Sequence, residues 1–392
     1  MTQSEKKNLF YSNVIFIFYF LIFVIFYFFN SDTYNMFAVD YHVRYKSEGI
    51  LIINQLLSQN FEELVIFDFY FIPKFLTGLF IKLFPDQLHF SIISNILNII
   101  IMFLSLYFFI KSLKQNNYTT FFFLIIFFSY KSNWIYCFLK LPDIFLLFNF
   151  SIIFFLLNKS FQTNKKFFLF SSWFFAIISI FIRPQGVVVL FFVFISSCYF
   201  FRRKINLIPF TIFASILYIF LYPFLINLMT KFDDVNFIYS NLSIINSGQI
   251  YYDVYFTRDF FYEQFSINES IVSEIFYYYV LFFKKFIYQI TFIRESYSLL
   301  HNIFLIIYCL GIYSVIIFSL SVYRTKFKYI SELIFVITSL SLLFHSSIYI
   351  GGEPNRYQLF YLTPWYLLVA MGLSEFFKNF RANKLKYISF LI

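Results

Sequence analysis

Apolar runs follow one another along this chain, and the charges left in the gaps between them change sign from one gap to the next. The run from Val14 to Phe29 carries no polar alternation. A backbone in lipid must satisfy its own hydrogen bonds, and an unalternating run does not suit a spanning strand, so such runs have to be helix. With 60% hydrophobic, 27% aromatic and 13% charged residues, the chain lacks the polar surface of a soluble domain. The expected fold is an all-α polytopic membrane protein, a single transmembrane domain over residues 1–392.

Ten spans are predicted, at about residues 9–29, 88–111, 119–136, 141–157, 166–182, 186–201, 205–228, 299–323, 329–350 and 357–376. The first follows Lys6 and Lys7, is longer than a signal-peptide core and has no small-residue cleavage site after it; it is expected to remain as a signal anchor. If the N-terminus is cytoplasmic, one set of loops holds Lys111 and Lys114, then Lys159, Lys165 and Lys166, then Arg202, Arg203 and Lys204. Further along, the same set holds Arg324, Lys326 and Lys328, and finally Lys378, Arg381, Lys384 and Lys386. Of the acids, only Glu5, Glu332 and Glu375 fall on that side. The positive-inside bias then predicts cytoplasmic N- and C-termini, with the acidic segments outside.

Two outside segments are long, residues 30–87 and 229–298. Each contains a half-apolar stretch. Leu64 to Phe84 is broken by Asp68, Pro73, Lys74 and Lys82, and Ile271 to Ile293 carries Lys284 and Lys285 at its middle. A charge at mid-bilayer costs about 2.5 to 3.5 kcal/mol, so interfacial helices on the outer leaflet are expected instead. The tract from Asp233 to Glu269, rich in Tyr, Asn and Asp, reads as ordinary solvated loop.

The formal net charge of +10 does not point to nucleic acid, because the Lys and Arg residues flank apolar runs as topology signals. Three scattered cysteines, Cys137, Cys198 and Cys309, offer no disulfide framework, and the four histidines have no metal-ligand spacing. Neither metal nor cofactor is expected.

Polar residues at the outer edge of a bundle are functional candidates, and four clusters qualify. Behind the first span stand Asp32, Asp40, His42, Arg44, Glu48 and Gly49. Asp40 and Arg44 are four apart and could form an ion pair on a helix; the functional alternative is a carboxylate acting as general base, Asp40 or else Asp32, with His42 and Arg44 in support. Arg183-Pro184-Gln185-Gly186 joins the fifth and sixth spans. A tight turn accounts for its Pro and Gly, whereas an outside Arg suits a phosphate. Gly351 to Tyr357 presents Glu353, Arg356 and Tyr357, either as a local salt bridge or as a second phosphate ligand with an aromatic neighbour. Tyr130 to Asp143 contributes Lys131, Trp134, Lys140, Pro142 and Asp143, with Pro142 suited to a helix start.

Taken together, these features resemble the GT-C superfamily of integral membrane glycosyltransferases that use polyprenyl-phosphate-linked sugars. The likeness lies in an acidic first outside loop with Asp32 and Asp40, the stretch Ile182 to Gly186, and the Arg356-Tyr357 pair followed by an apolar run containing Pro364. The Asp-Glu doublet often seen in that family's first loop is absent. The resemblance implies transfer of a sugar from a polyprenyl-phosphate donor to an acceptor hydroxyl on a glycan, lipid or protein. The reaction would take place at the outer face, periplasmic in a bacterial inner membrane, the expected location, or luminal in the endoplasmic reticulum, with inversion at the anomeric carbon. It assigns proton removal to Asp40 or Asp32, and the leaving phosphate to Arg183 and Arg356 with Tyr357 beside them. Asp143 and Glu353 are supporting candidates. Competing readings are an outer-face polysaccharide polymerase, for which Arg258 and Arg294 would serve, and a lipid-linked sugar flippase or other transporter.

Overall fold

The structure is a computed structural model that describes residues 3–29, 45–58, 70–84, 87–112, 117–129, 133, 141–201, 207–229, 249–251, 254–291, 298–323, 328–348 and 354–382. The described chain is overwhelmingly helical. Its order is α1 (Gln3–Phe29), α2 (residues 45–57), α3 (Phe71–Leu83), α4 (Gln87–Ser112), α5 (Asn117–Ser129), α6 (Leu141–Thr163), α7 (Lys166–Ile182), α8 (Gly186–Phe201) and α9 (Leu207–Met229). A short hairpin follows, β1 (Gln249–Tyr251) and β2 (Val254–Tyr255), then α10 (Arg258–Phe265), α11 (Ile271–Thr291), α12 (Leu299–Tyr323), α13 (Lys328–Ile348) and α14 (Pro354–Ala382).

Each predicted span coincides with a helix. Six are long and apolar enough to cross a membrane: Phe10–Phe29, Ile92–Ser112, Pro142–Thr163, Leu207–Phe224, Leu299–Ile317 and Tyr329–Ser347. The chain is therefore a helical membrane protein, and six such helices stand among the described residues where ten spans were expected. Length explains most of the difference. The helix α5 has 13 residues and α8 has 16, about 20 and 24 Å of helix against a hydrocarbon core of about 30 Å.

Backbone contacts divide the chain into two units. The first comprises Met1–Ser197, Val315–Ser331 and Leu362–Ile392. Its centre is α6, which packs against α4 and α7, while α1 lies along α5 and α4. Phe103 of α4 receives the rings of Phe16, Phe20 and Phe23, at centroid separations of 5.5, 5.1 and 5.9 Å. A Phe-rich sequence thus builds its core from edge-to-face ring contacts. Side-chain contacts join helix ends that the charge pattern assigns to one side. Ser12 meets Thr120, Asn158 donates to the Ser112 carbonyl, and Phe122 lies 5.1 Å from Phe377. At the other ends, Tyr27 bonds Asn95, and the Tyr366 hydroxyl donates to Asn133 at 3.5 Å.

The first outside segment contains two helices, and α3 lies against α4 and α7. Where α2 meets α3, Gly49 faces Gly78 so closely that a Cβ on either would collide with backbone of the other. Glu48 and Lys74 form a salt bridge beside that crossing. Gly49, which closed the first polar cluster in sequence, is here a helix-crossing residue.

The second unit comprises Cys198–Ser314 and Glu332–Tyr361. Here α11 packs against α9, and the rings of Tyr222, Phe256, Phe261, Tyr277, Tyr278 and Phe282 form one core with Ile226 and Leu281. The tract expected to be plain loop is partly ordered. The hairpin occupies Gln249 to Tyr255, and α10 starts at an N-cap, Thr257, whose side chain accepts from the Phe260 N–H at 3.2 Å. Sequence reading missed both, because Tyr and Asn mark loops when their burial is unknown. The helix expected over Ile271 to Ile293 is α11, and it is not among the six helices long and apolar enough to cross a membrane. Its start is fixed by a reciprocal cap, with the Ser273 N–H on Ser270 Oγ at 3.1 Å and the Ser270 N–H on Ser273 Oγ at 2.8 Å.

Candidate functional site

Two adjacent helices bring together Arg183 and Asp143, two of the residues singled out in the sequence. Asp143 lies in the first turn of α6, directly after Pro142, which occupies the helix start as expected. Arg183 is the residue at which α7 ends, extended at φ −168°, with its N–H on the Ser179 carbonyl at 3.3 Å. Because α6 and α7 form an antiparallel pair joined at Asn164, the start of one meets the end of the other. Arg183 Nη1 there forms an ion pair with Asp143 Oδ1, both side chains nearly inaccessible at 3% and 5% exposure.

The turn that follows is built to hold that arrangement. The Gly186 N–H bonds the Arg183 carbonyl at 2.8 Å, closing a four-residue turn, and Val187 and Val188 donate to Pro184 and Gln185. A Cβ at Gly186 would strike the Ser179 carbonyl, so only glycine lets α8 leave this close to α7. One turn and more below the ion pair, Asn149 Nδ2 donates to the Phe175 carbonyl and to Ser179 Oγ, each at 2.6 Å. Gln185 is buried, and its Oε1 has no hydrogen-bond partner among the described residues. The result is a buried, charge-neutral polar cluster made of Asp143, Asn149, Ser179, Arg183 and Gln185.

Opposite charges placed together each lower the cost of burying the other. The Arg183 guanidinium thus has a structural carboxylate, and that carboxylate also fixes its direction. Sequence alone did not link Asp143 to Arg183, which are 40 positions apart; the signal available was that both sit at the same end of neighbouring spans.

Of the other candidates, Asp32, Asp40, His42, Arg44 and Glu353 lie outside the described residues. Arg356 and Tyr357 fall in the first turn of α14, where the backbone alone is described. Among the described residues there is no group of three or more His, Cys, Asp or Glu that could hold a metal ion.

The second unit holds a charged group around Arg258, the residue named for the polymerase reading. Arg258, the first residue of α10, pairs with Glu274 of α11 at 3.1 Å and donates to the Tyr278 hydroxyl at 2.5 Å. Burial opposes its charge, but the neighbouring Tyr278 and Glu274 leave its pKa raised. Tyr277 donates to the Phe256 carbonyl at 2.8 Å, and burial holds its phenol well above the ordinary tyrosine range. Lys284 stands 4.0 Å over the Phe256 ring. Lys285, next in sequence, is 2% exposed, and burial lowers its pKa to about 8.

No family model matches the chain, and neither a curated protein nor a solved structure is similar enough to it to count as a match. What its own fold defines is the class: a helical membrane protein with a buried Arg–Asp pair at the ends of two packed helices.

Proposed function

We propose that the protein is an inverting membrane glycosyltransferase of GT-C type, moving a sugar from a polyprenyl-phosphate donor to an acceptor hydroxyl on a glycan, lipid or protein. In this reading ten segments cross a bacterial inner membrane with both termini cytoplasmic. The acidic segments and the chemistry then lie on the outer face. The observation that supports it most is the buried Asp143–Arg183 pair. It puts an oriented guanidinium at the helix end that the charge pattern assigns to the acidic side, with the helix α3 of the first outside segment against α7.

The division of labour follows from the reaction. A polyprenyl phosphate is a competent leaving group, so the protein must orient the acceptor, take its proton and stabilise the departing phosphate. Asp40, or else Asp32, accepts the proton, and Arg183 and Arg356 stabilise the phosphate, with Tyr357 beside Arg356. Asp143 holds Arg183 in place. His42, Arg44 and Glu353 support the acids and the second arginine. One base without a carboxylate nucleophile gives inversion.

The test is transfer of labelled sugar from a panel of polyprenyl-phosphate donors in proteoliposomes. Asp40→Asn or Asp32→Asn is expected to abolish transfer in a folded protein, and Arg183→Lys to weaken donor use by tenfold or more. Full transfer in both aspartate variants and in their combination would refute the general base. Donor crossing the bilayer with no transfer at all would instead identify a flippase.

A further inference from the structure

We propose that Lys285 is an anion-binding residue whose ammonium receives a phosphate group, carried by a lipid headgroup or by a free phosphate compound. Lys285 lies on the buried face of α11 with Tyr278, Leu281, Phe282 and Gln289, the face packed against α9. It is 2% exposed, and its Nζ has no hydrogen-bond partner among the described residues. The contrast with the neighbouring cations is informative. Lys284, half-buried, sits over the Phe256 ring, and Arg258 sits against Glu274 and Tyr278, so both of these cations have partners. Lys285 alone of the three is buried without one.

A buried ammonium costs the fold stability unless something compensates it, and a methionine of similar shape would fill the same space without that cost. Retaining the charge therefore makes sense for a site whose counter-ion arrives from outside. Lysine suits a phosphate here, since it offers three donors from a point charge where neither a fork nor a plane is needed. The proposal stands apart from sugar transfer: a polymerase, a flippase or a transporter that handles a phosphorylated lipid would use the same ammonium.

The experiment follows thermal unfolding of the delipidated protein, the full chain, in detergent with inorganic phosphate, polyprenyl phosphate or phosphatidylglycerol, and with diacylglycerol as the phosphate-free control. The unmodified protein is expected to gain stability with phosphate concentration. Lys285→Met is expected to be more stable than the unmodified protein before any addition, yet to lose affinity at least tenfold, while Lys285→Arg keeps most of it. Stabilisation by inorganic phosphate alone identifies a free phosphate compound as the source, and stabilisation only by the lipids identifies a headgroup. If no probe stabilises the unmodified protein, or if the Met variant responds as strongly, the proposal falls. It also falls if Lys285→Met fails to fold, because the ammonium would then have a partner inside the protein. Loss of sugar transfer with binding intact would sink the proposed reaction and leave this site standing.

Discussion

Breaking the Asp143–Arg183 pair one side at a time should cost far more than removing it whole. Both side chains are almost fully excluded from solvent, so removing either carboxylate or guanidinium leaves a buried charge unpaired. With about 4 Å between charge centres and an effective dielectric of about 20, their attraction is about 4 kcal/mol. Loss of one partner from a buried pair typically costs about 3 to 5 kcal/mol, whereas replacing both by apolar residues of similar volume is often close to neutral. Asp143→Leu and Arg183→Met should therefore each destabilise by about 3 kcal/mol or more. The double variant should recover most of that loss, giving a coupling of at least about 2 kcal/mol. Reversible unfolding in mixed micelles, read by tryptophan fluorescence at several denaturant concentrations, measures all four corners of the cycle. Additive losses in the double variant would refute the pairing as an energetic unit. The same four proteins separate structure from chemistry: if the double variant folds well yet transfers no sugar, Arg183 acts on the donor beyond holding α6 to α7.

Gly78→Leu should open the α2–α3 crossing, since even a Cβ there meets the Gly49 backbone; a loss of about 1 to 3 kcal/mol and faster proteolysis are expected, and an unchanged digestion pattern would count against the crossing. Lys285 gives a pH signature. Its pKa falls from 10.5 unfolded to about 8 folded, so between those values the unfolded chain holds more protons and stability rises with pH, by about 3 kcal/mol across the whole window. Tyr277 and Tyr278 oppose this only above about pH 10, because their raised pKa values keep the folded state protonated while the unfolded chain ionises. The rise is thus to be sought from pH 8 to 9.5 as a difference between the unmodified protein and Lys285→Met, and parallel curves would contradict the burial of the charge.

How much of this was legible beforehand depends on which physical signal a segment carries. Continuous apolar runs announced α1, α4, α6, α9, α12 and α13, because lipid permits nothing else there. Interrupted runs announced α3 and α11 equally well, since Lys82 and the pair Lys284 and Lys285 made a span too costly while the apolar remainder still had to be buried. The number of spans was less legible: an apolar stretch shows that a helix is solvated by lipid or protein without showing which, and α5 is described over only 13 residues. At the site, Arg183 was visible as an oddity of sign, and Gly186 as a turn residue. Its bond to Asp143 was not, because contacts between helices are set by packing across 40 residues of sequence and not by any local spacing. The hairpin at Gln249 to Tyr255 and the Arg258 cluster were hidden for the same reason, as their order comes from the Phe256, Phe261 and Tyr277 rings packed on α11.

Arg183 and Lys285, the two buried cations among the described residues, answer the problem of low dielectric in opposite ways, and the difference decides what each is fit to do. Arg183 carries its counter-ion with it. The pair is neutral as a unit, so the attraction left over for an incoming phosphate is that of a dipole, and its value to a reaction lies in direction rather than in charge. Such a group serves a transition state, where a phosphate gains charge at a fixed place and no reorganisation is needed to meet it. Lys285 is a monopole in a dry core, and the free energy held in its desolvation is recovered only when an anion reaches it. A group of that kind favours the ground state of binding, drawing in any phosphate of suitable reach. If both act on one lipid-linked substrate, Lys285→Met should raise the apparent KM while leaving kcat nearly intact, and Arg183→Lys should lower kcat at saturating donor. The reverse split would show that the paired arginine holds the substrate and the unpaired lysine serves the chemistry, which the electrostatics of the two sites argue against.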